Sequence, residues 1–191
     1  MPLNLTLQLL KDEAARFARL ESAHDEPSLY GITDGKAVGT YLEHKFQGFL
    51  IKKYTCIFGS SAKGIDFPEL GVDLKTTSIR QPQSSCPFKS ARQKIYGLGY
   101  HLLVFVYQKS DDTKRRTGKL DIQHTVFVNA SKTADYQTTT GLRSIIENNG
   151  NIDDVLAFFS ERMLPLDDVQ AQALAEEVLA DPPDIGYLTI S

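Results

Sequence analysis

Residues 101–107 read HLLVFVY, a near-continuous apolar run. A strand with one wet face alternates polar and apolar residues. A run that does not alternate suits a central strand covered on both faces. The rest of the chain must therefore supply layers on either side. Leu7, Leu10, Ala14, Phe17 and Leu20 recur near the helical period, which predicts an amphipathic helix over 6–23. Pro27 and Gly31 interrupt the pattern. A second helix is predicted over 35–53, with Val38, Leu42, Phe46 and Phe49 on one stripe and Asp34 as N-cap. IDFPELGVDLKTTSI reads as strand, turn and strand, with the turn at Pro68–Gly71. A third helix is predicted over 88–97, a further strand in HTVFVNA, helices near 140–148, 152–163 and 167–180, and a terminal strand in IGYLTI. Helix, hairpin strands, helix, buried strand is the order of an α/β sandwich around a mixed sheet.

At 191 residues the chain reads as a single domain, long enough to bury a core without disulfides or metal staples. Cys56 and Cys86 are the only cysteines and read as idle thiols of a reducing cytosol. No segment has the length or character of a membrane span, and the N-terminus lacks the basic and apolar regions of a signal peptide, so a cytoplasmic protein is expected. The net charge of −3 hides an asymmetry. Residues 75–119 hold ten Lys and Arg against two Asp, a local +8, and residues 151–191 hold nine acids against Arg162, a local −8. A polyanionic partner would meet the basic segment, although Lys114, Arg115 and Arg116 also suit a solvated loop.

Within GVDLKTTS, strand alternation sends Val72, Leu74 and Thr76 toward a core and Asp73, Lys75 and Thr77 to the other face. Asp73 and Lys75 are then same-face neighbours, about 6–7 Å apart at the backbone. With the turn at Glu69–Gly71, Asp66 can sit across from Asp73. Two facing carboxylates repel unless a cation lies with them, and hard cations such as Mg²⁺ favour carboxylate oxygens. A lysine beside such a pair suits phosphodiester hydrolysis, where it orients a water or stabilises developing charge. The same residues also suit a surface hairpin carrying an ordinary Asp–Lys ion pair, and spacing alone does not choose between the two.

Asp66, Asp73 and Lys75 resemble the PD-(D/E)XK nuclease motif. VGTYLE ending at Glu43, then GS, DF and LGVDLKT, is similar to the pattern of MutH-type mismatch-repair endonucleases and related type II restriction enzymes. The resemblance spans residues 35–107. It implies a restriction-endonuclease-like core, a mixed central β-sheet flanked by helices. It also implies Mg²⁺-dependent cleavage of double-stranded DNA at a specific sequence, with Glu43, Asp66 and Asp73 as metal ligands and Lys75 assisting the water. Lys94, on the following helix, matches a further family lysine. A restriction enzyme cutting both strands of a palindrome is simplest as a homodimer. A MutH-like nickase and an inactive DNA-binding module of the same fold are the rival expectations. Residues 81–90, QPQSSCPFKS, have no MutH counterpart, so MutH's specificity does not transfer. Arg80–Lys94 is the expected DNA-contact segment, through Arg80, Gln81, Gln83, Ser84, Ser85, Lys89, Arg92 and Gln93, because Gln reads adenine while Arg and Lys read guanine or bind phosphate. The four histidines, His24, His44, His101 and His124, have no partner in the sequence pattern and read as non-catalytic.

Overall fold

A computed structural model describes residues 3–59, 64–80, 82 and 88–189. Of the expected DNA contacts, Gln81, Gln83, Ser84 and Ser85 lie outside the described residues, as does Cys86. The chain divides into two compact units, Met1–Gln83 with Leu102–Phe127, and Ser84–His101 with Val128–Ser191.

In the first unit, helix α1 (Leu7–Ser22) starts at Thr6, whose side chain accepts the Leu9 N–H at 3.3 Å. Helix α2 (Gly35–Leu50) starts at Asp34, which accepts from Lys36 and Ala37 as its sequence predicts. A small parallel sheet pairs β1 (Leu3–Asn4) with β3 (Tyr54–Thr55). The larger sheet comprises β2 (Asp25–Glu26), β4 (Val72–Ser78), β5 (His101–Asp112) and β6 (Thr117–Val128), in the order β2-β6-β5-β4. β2 pairs antiparallel with β6, Glu26 opposite Gly118. The apolar run 101–107 thus begins an inner strand with β4 on one side and β6 on the other. Phe17 of α1, Phe46 of α2 and Phe105 of β5 meet at centroid distances of 5.1–5.6 Å and centre the core, which also takes in Val72 and Leu74. The chain is α/β, with a mixed sheet flanked by helices, consistent with a restriction-endonuclease-like core.

The second unit is helical. Short α3 (Ala91–Tyr96), α4 (Tyr136–Glu147), α5 (Ile152–Glu161) and α6 (Asp168–Ala180) pack in succession around Ile95, Leu142, Val155, Phe159 and Val178. Asn151 and Asp167 each close a reciprocal capping box.

Four expectations are corrected. The residues before the Pro68 turn do not form a strand; only Phe67 bridges to Val72, and residues 68–70 coil into a 3-10 turn. β5 and β6 are longer than HLLVFVY and HTVFVNA, because ladder pairing carries the backbone through the polar segments at the hairpin tip. α4 begins at Tyr136 rather than 140, capped by Asp135. IGYLTI forms only an isolated bridge, Leu188 to Asp135. Among the described residues no helix is long and apolar enough to cross a membrane.

Candidate active site on the fourth strand

The site hairpin is held at both ends. Gly59 donates its N–H to the Asp66 carbonyl at 2.9 Å, and a Cβ at Gly59 would stand 1.8 Å from the Ile65 carbonyl oxygen, so no larger residue fits that approach. Phe67 and Val72 exchange both backbone hydrogen bonds, at 2.9 and 3.2 Å. Phe67 itself is buried against Phe46 of α2 at 6.2 Å and Phe58 at 5.7 Å. Further along, α2 approaches β4 so closely that a Cβ on Gly39 would lie 2.9 Å from Thr76 Oγ1. The sequence marks these supports only faintly, as a glycine in GS and an aromatic in DF.

The Phe67–Val72 pairing makes Asp66 and Asp73 the next cross-strand pair. Asp66 Oδ2 accepts the Leu74 N–H at 2.7 Å, which pins its carboxylate over the strand. Lys75 Nζ lies 2.7 Å from Asp73 Oδ2. Alternation puts Asp73 opposite the core side chains, yet it is only 3% exposed, so it is a buried carboxylate and not a surface one. Burial, with Asp66 alongside, pushes the Asp73 carboxyl up to about 6 against the pull of Lys75. The site thus holds two carboxylates and one ammonium in a place that resists negative charge. Oxygen-only donors set side by side fit a hard divalent cation, and Asp66 and Asp73 are the residues that would hold it.

The other expected site residues are distributed differently. Glu43 is half-buried on α2, one turn after Gly39, and accepts a hydrogen bond from Gln47 at 3.3 Å. Among the described residues no three His, Cys, Asp or Glu gather into a metal-holding group, so Asp66 and Asp73 stand as a pair. Lys45, on the same helix, bonds Glu21 at 2.9 Å. Lys94 is half-buried on α3 in the second unit, its carbonyl accepting from Asp135 at 2.9 Å. Arg80 and Lys89 are exposed. Gln93 accepts the Lys89 N–H at 2.7 Å, a local cap at the start of α3. Arg92 pairs with Glu177 of α6 and lies over the Tyr96 ring at 5.0 Å. His24 does have a partner, Glu26 at 3.1 Å, and His101 Nδ1 accepts from the Ala130 N–H at 2.9 Å.

Comparison with known proteins gives the chain its relatives. The family model described as "Type II restriction enzyme NspV" matches residues 4–191. The type II restriction enzyme NspV of Nostoc sp. (strain ATCC 29411 / PCC 7524) is 59% identical over 187 residues, covering 98% of this chain and 85% of the relative. No solved structure matches. With a match that spans both units and the whole Asp66–Lys75 hairpin, the chain belongs to the NspV family of type II restriction enzymes.

Proposed function

We propose that this chain is a Mg²⁺-dependent endodeoxyribonuclease that hydrolyses double-stranded DNA at a specific sequence, as a homodimer, through a PD-(D/E)XK site of the MutH-like group. Both units belong to one nuclease domain in this reading, and the protein works in the cytoplasm. The observation that carries it is the Asp66–Asp73 pair with the Lys75 ammonium 2.7 Å from Asp73. Family membership supports the substrate class.

Asp66 and Asp73 would hold the cation, with Glu43 orienting water from α2. Bound there, the cation supplies positive charge at the phosphate and lowers the pKa of water. Lys75 provides the one cationic donor on this strand face. Its ammonium orients the attacking water and stabilises charge that grows on the phosphoryl oxygens. Leu74 fixes Asp66 through its N–H, so the Asp66 carboxylate need not reorganise as charge develops. Lys94 from α3 would add a second cation, and Arg80, Gln81, Gln83, Ser84, Ser85, Lys89, Arg92 and Gln93 would contact the duplex. Arg92 must then exchange Glu177 for DNA.

Digestion of a plasmid of known sequence with Mg²⁺, followed by sequencing of the ends, tests this reading. Discrete fragments sharing one terminal sequence are expected. Random degradation would contradict it. Nicks in one strand only would favour the MutH-like nickase, and binding without cleavage the inactive module.

A further inference from the structure

We propose that Thr77 is a positioning residue for Lys75, a second resting place for its ammonium; this rests on the reading of Asp66, Asp73 and Lys75 as the catalytic set. Val72 and Leu74 enter the core and Thr76 faces Gly39 of α2, so alternation sets Asp73, Lys75 and Thr77 in a row on the opposite face of β4. Lys75 is the middle of the three. On one side its Nζ meets Asp73 Oδ2 at 2.7 Å. On the other, Thr77 Oγ1 is buried and has no hydrogen-bond partner among the described residues.

A buried hydroxyl without a partner is costly and uncommon. Valine would fill the same shape without that cost. The polar atom therefore points to a partner that arrives in another state of the site. Lys75 is the group built to supply it. An ammonium has three donors and no acceptor, so an oxygen further along the strand can hold it on that face once it leaves Asp73. While it sits on Asp73 it occupies a carboxylate oxygen that a cation would need. Thr77 Oγ1 offers an acceptor about 6–7 Å along the same face, measured at the backbone, which a four-carbon stem spans. Moving from Asp73 to Thr77 frees the Asp73 oxygen and keeps the ammonium on the strand face.

The test compares Thr77→Val, Thr77→Ser, Lys75→Ala and Lys75→Ala/Thr77→Val with wild type. Three properties are read: the thermal midpoint in metal-free buffer, duplex affinity, and the single-turnover cleavage rate. Thr77→Val should melt no lower than wild type, because the hydroxyl it removes has no partner there. It should bind duplex within about twofold and cleave at least ~10-fold more slowly, and Thr77→Ser should restore the rate to within about threefold. The double variant should cleave no more slowly than Lys75→Ala, since Thr77 acts through Lys75. A lower midpoint in Thr77→Val would show the hydroxyl to be a structural bond already made in the free protein. Wild-type cleavage by Thr77→Val, or a double variant slower than Lys75→Ala, would equally overturn the proposal. Wild-type cleavage by Lys75→Ala would remove the catalytic reading beneath it.

Discussion

Glu13 and Asp73 are both buried carboxylates with a lysine Nζ at 2.7 Å, and they are in opposite electrostatic states. Glu13 lies on α1. Burial alone would raise its pKa, but Lys53 at 2.9 and 2.7 Å and the Tyr54 hydroxyl at 3.0 Å outweigh this and hold it below the ordinary range. Asp73 has the same kind of lysine but is more deeply buried, and its carboxyl is raised to about 6. Two things differ: Asp73 lies deeper, which is the larger cause, and the third group is not the same. Glu13 faces a hydroxyl that donates, and Asp73 faces a second carboxylate, Asp66. The Glu13 arrangement is satisfied within the free protein, and in the proposed reading the Asp66–Asp73 pair takes up further positive charge. That separates a structural ion pair from a binding site better than the presence of a buried acid or a nearby lysine does.

The largest effect should come from cutting the second arrangement. Lys75→Ala should slow cleavage by ~10²-fold or more, with little change in thermal midpoint, because this lysine is half-exposed and its carboxylate partner can take up a proton. Kinetics and melting measured on one preparation check this. Lys53→Ala should do the reverse. It leaves Glu13 buried with Tyr54 alone, costs about 1–3 kcal/mol in denaturant unfolding, and leaves cleavage in place.

Asp73→Asn should sharpen the contrast from the other side. It removes one of two facing charges, so in metal-free buffer its midpoint should rise by about 2–4 °C, the shift that ~1 kcal/mol gives in a chain of this size. The equivalent change Glu13→Gln should lower the midpoint. The smallest effect concerns Glu26, whose carboxyl is held down to about 2, chiefly by the Ser28 N–H, with the Ser28 hydroxyl, His24 and Tyr41 adding to it. A carboxylate depressed in the folded state adds stability above its unfolded pKa of 4.5, and loses it as pH falls from there toward about 2. Glu26→Gln should flatten that part of the stability-versus-pH curve, read by urea unfolding across the acid range.

The parts of this molecule legible in its sequence are those written locally. α1 and α2 follow from apolar residues one turn apart, and the start of α2 from Asp34. Asp66, Asp73 and Lys75 fall on one short hairpin, so strand alternation and one turn suffice to bring them together. What alternation could not supply was the burial of Asp73, which depends on what covers that face of the sheet. The polar ends of β5 and β6 carry no apolar signal and exist because each pairs with the other. α4 hides its first turn behind Thr138 and Thr139, polar residues that are buried on Asp135 and on the backbone. The Glu13–Lys53 bridge joins residues 40 apart, so it could not be read from spacing.

Titrating a labelled duplex that carries the cleaved sequence with wild type and with Asp73→Asn, in chelator and in Ca²⁺, tests most directly whether the Asp66–Asp73 pair is a cation site facing phosphate. Ca²⁺ takes carboxylate oxygens and so neutralises the pair. Wild type should bind weakly in chelator and much more tightly in Ca²⁺. Asp73→Asn should bind more tightly than wild type in chelator, and gain less from Ca²⁺. Equal affinities for both proteins in both buffers would mean that the two carboxylates do not face the phosphate, and that Asp73 and Lys75 are a structural pair like Glu13 and Lys53.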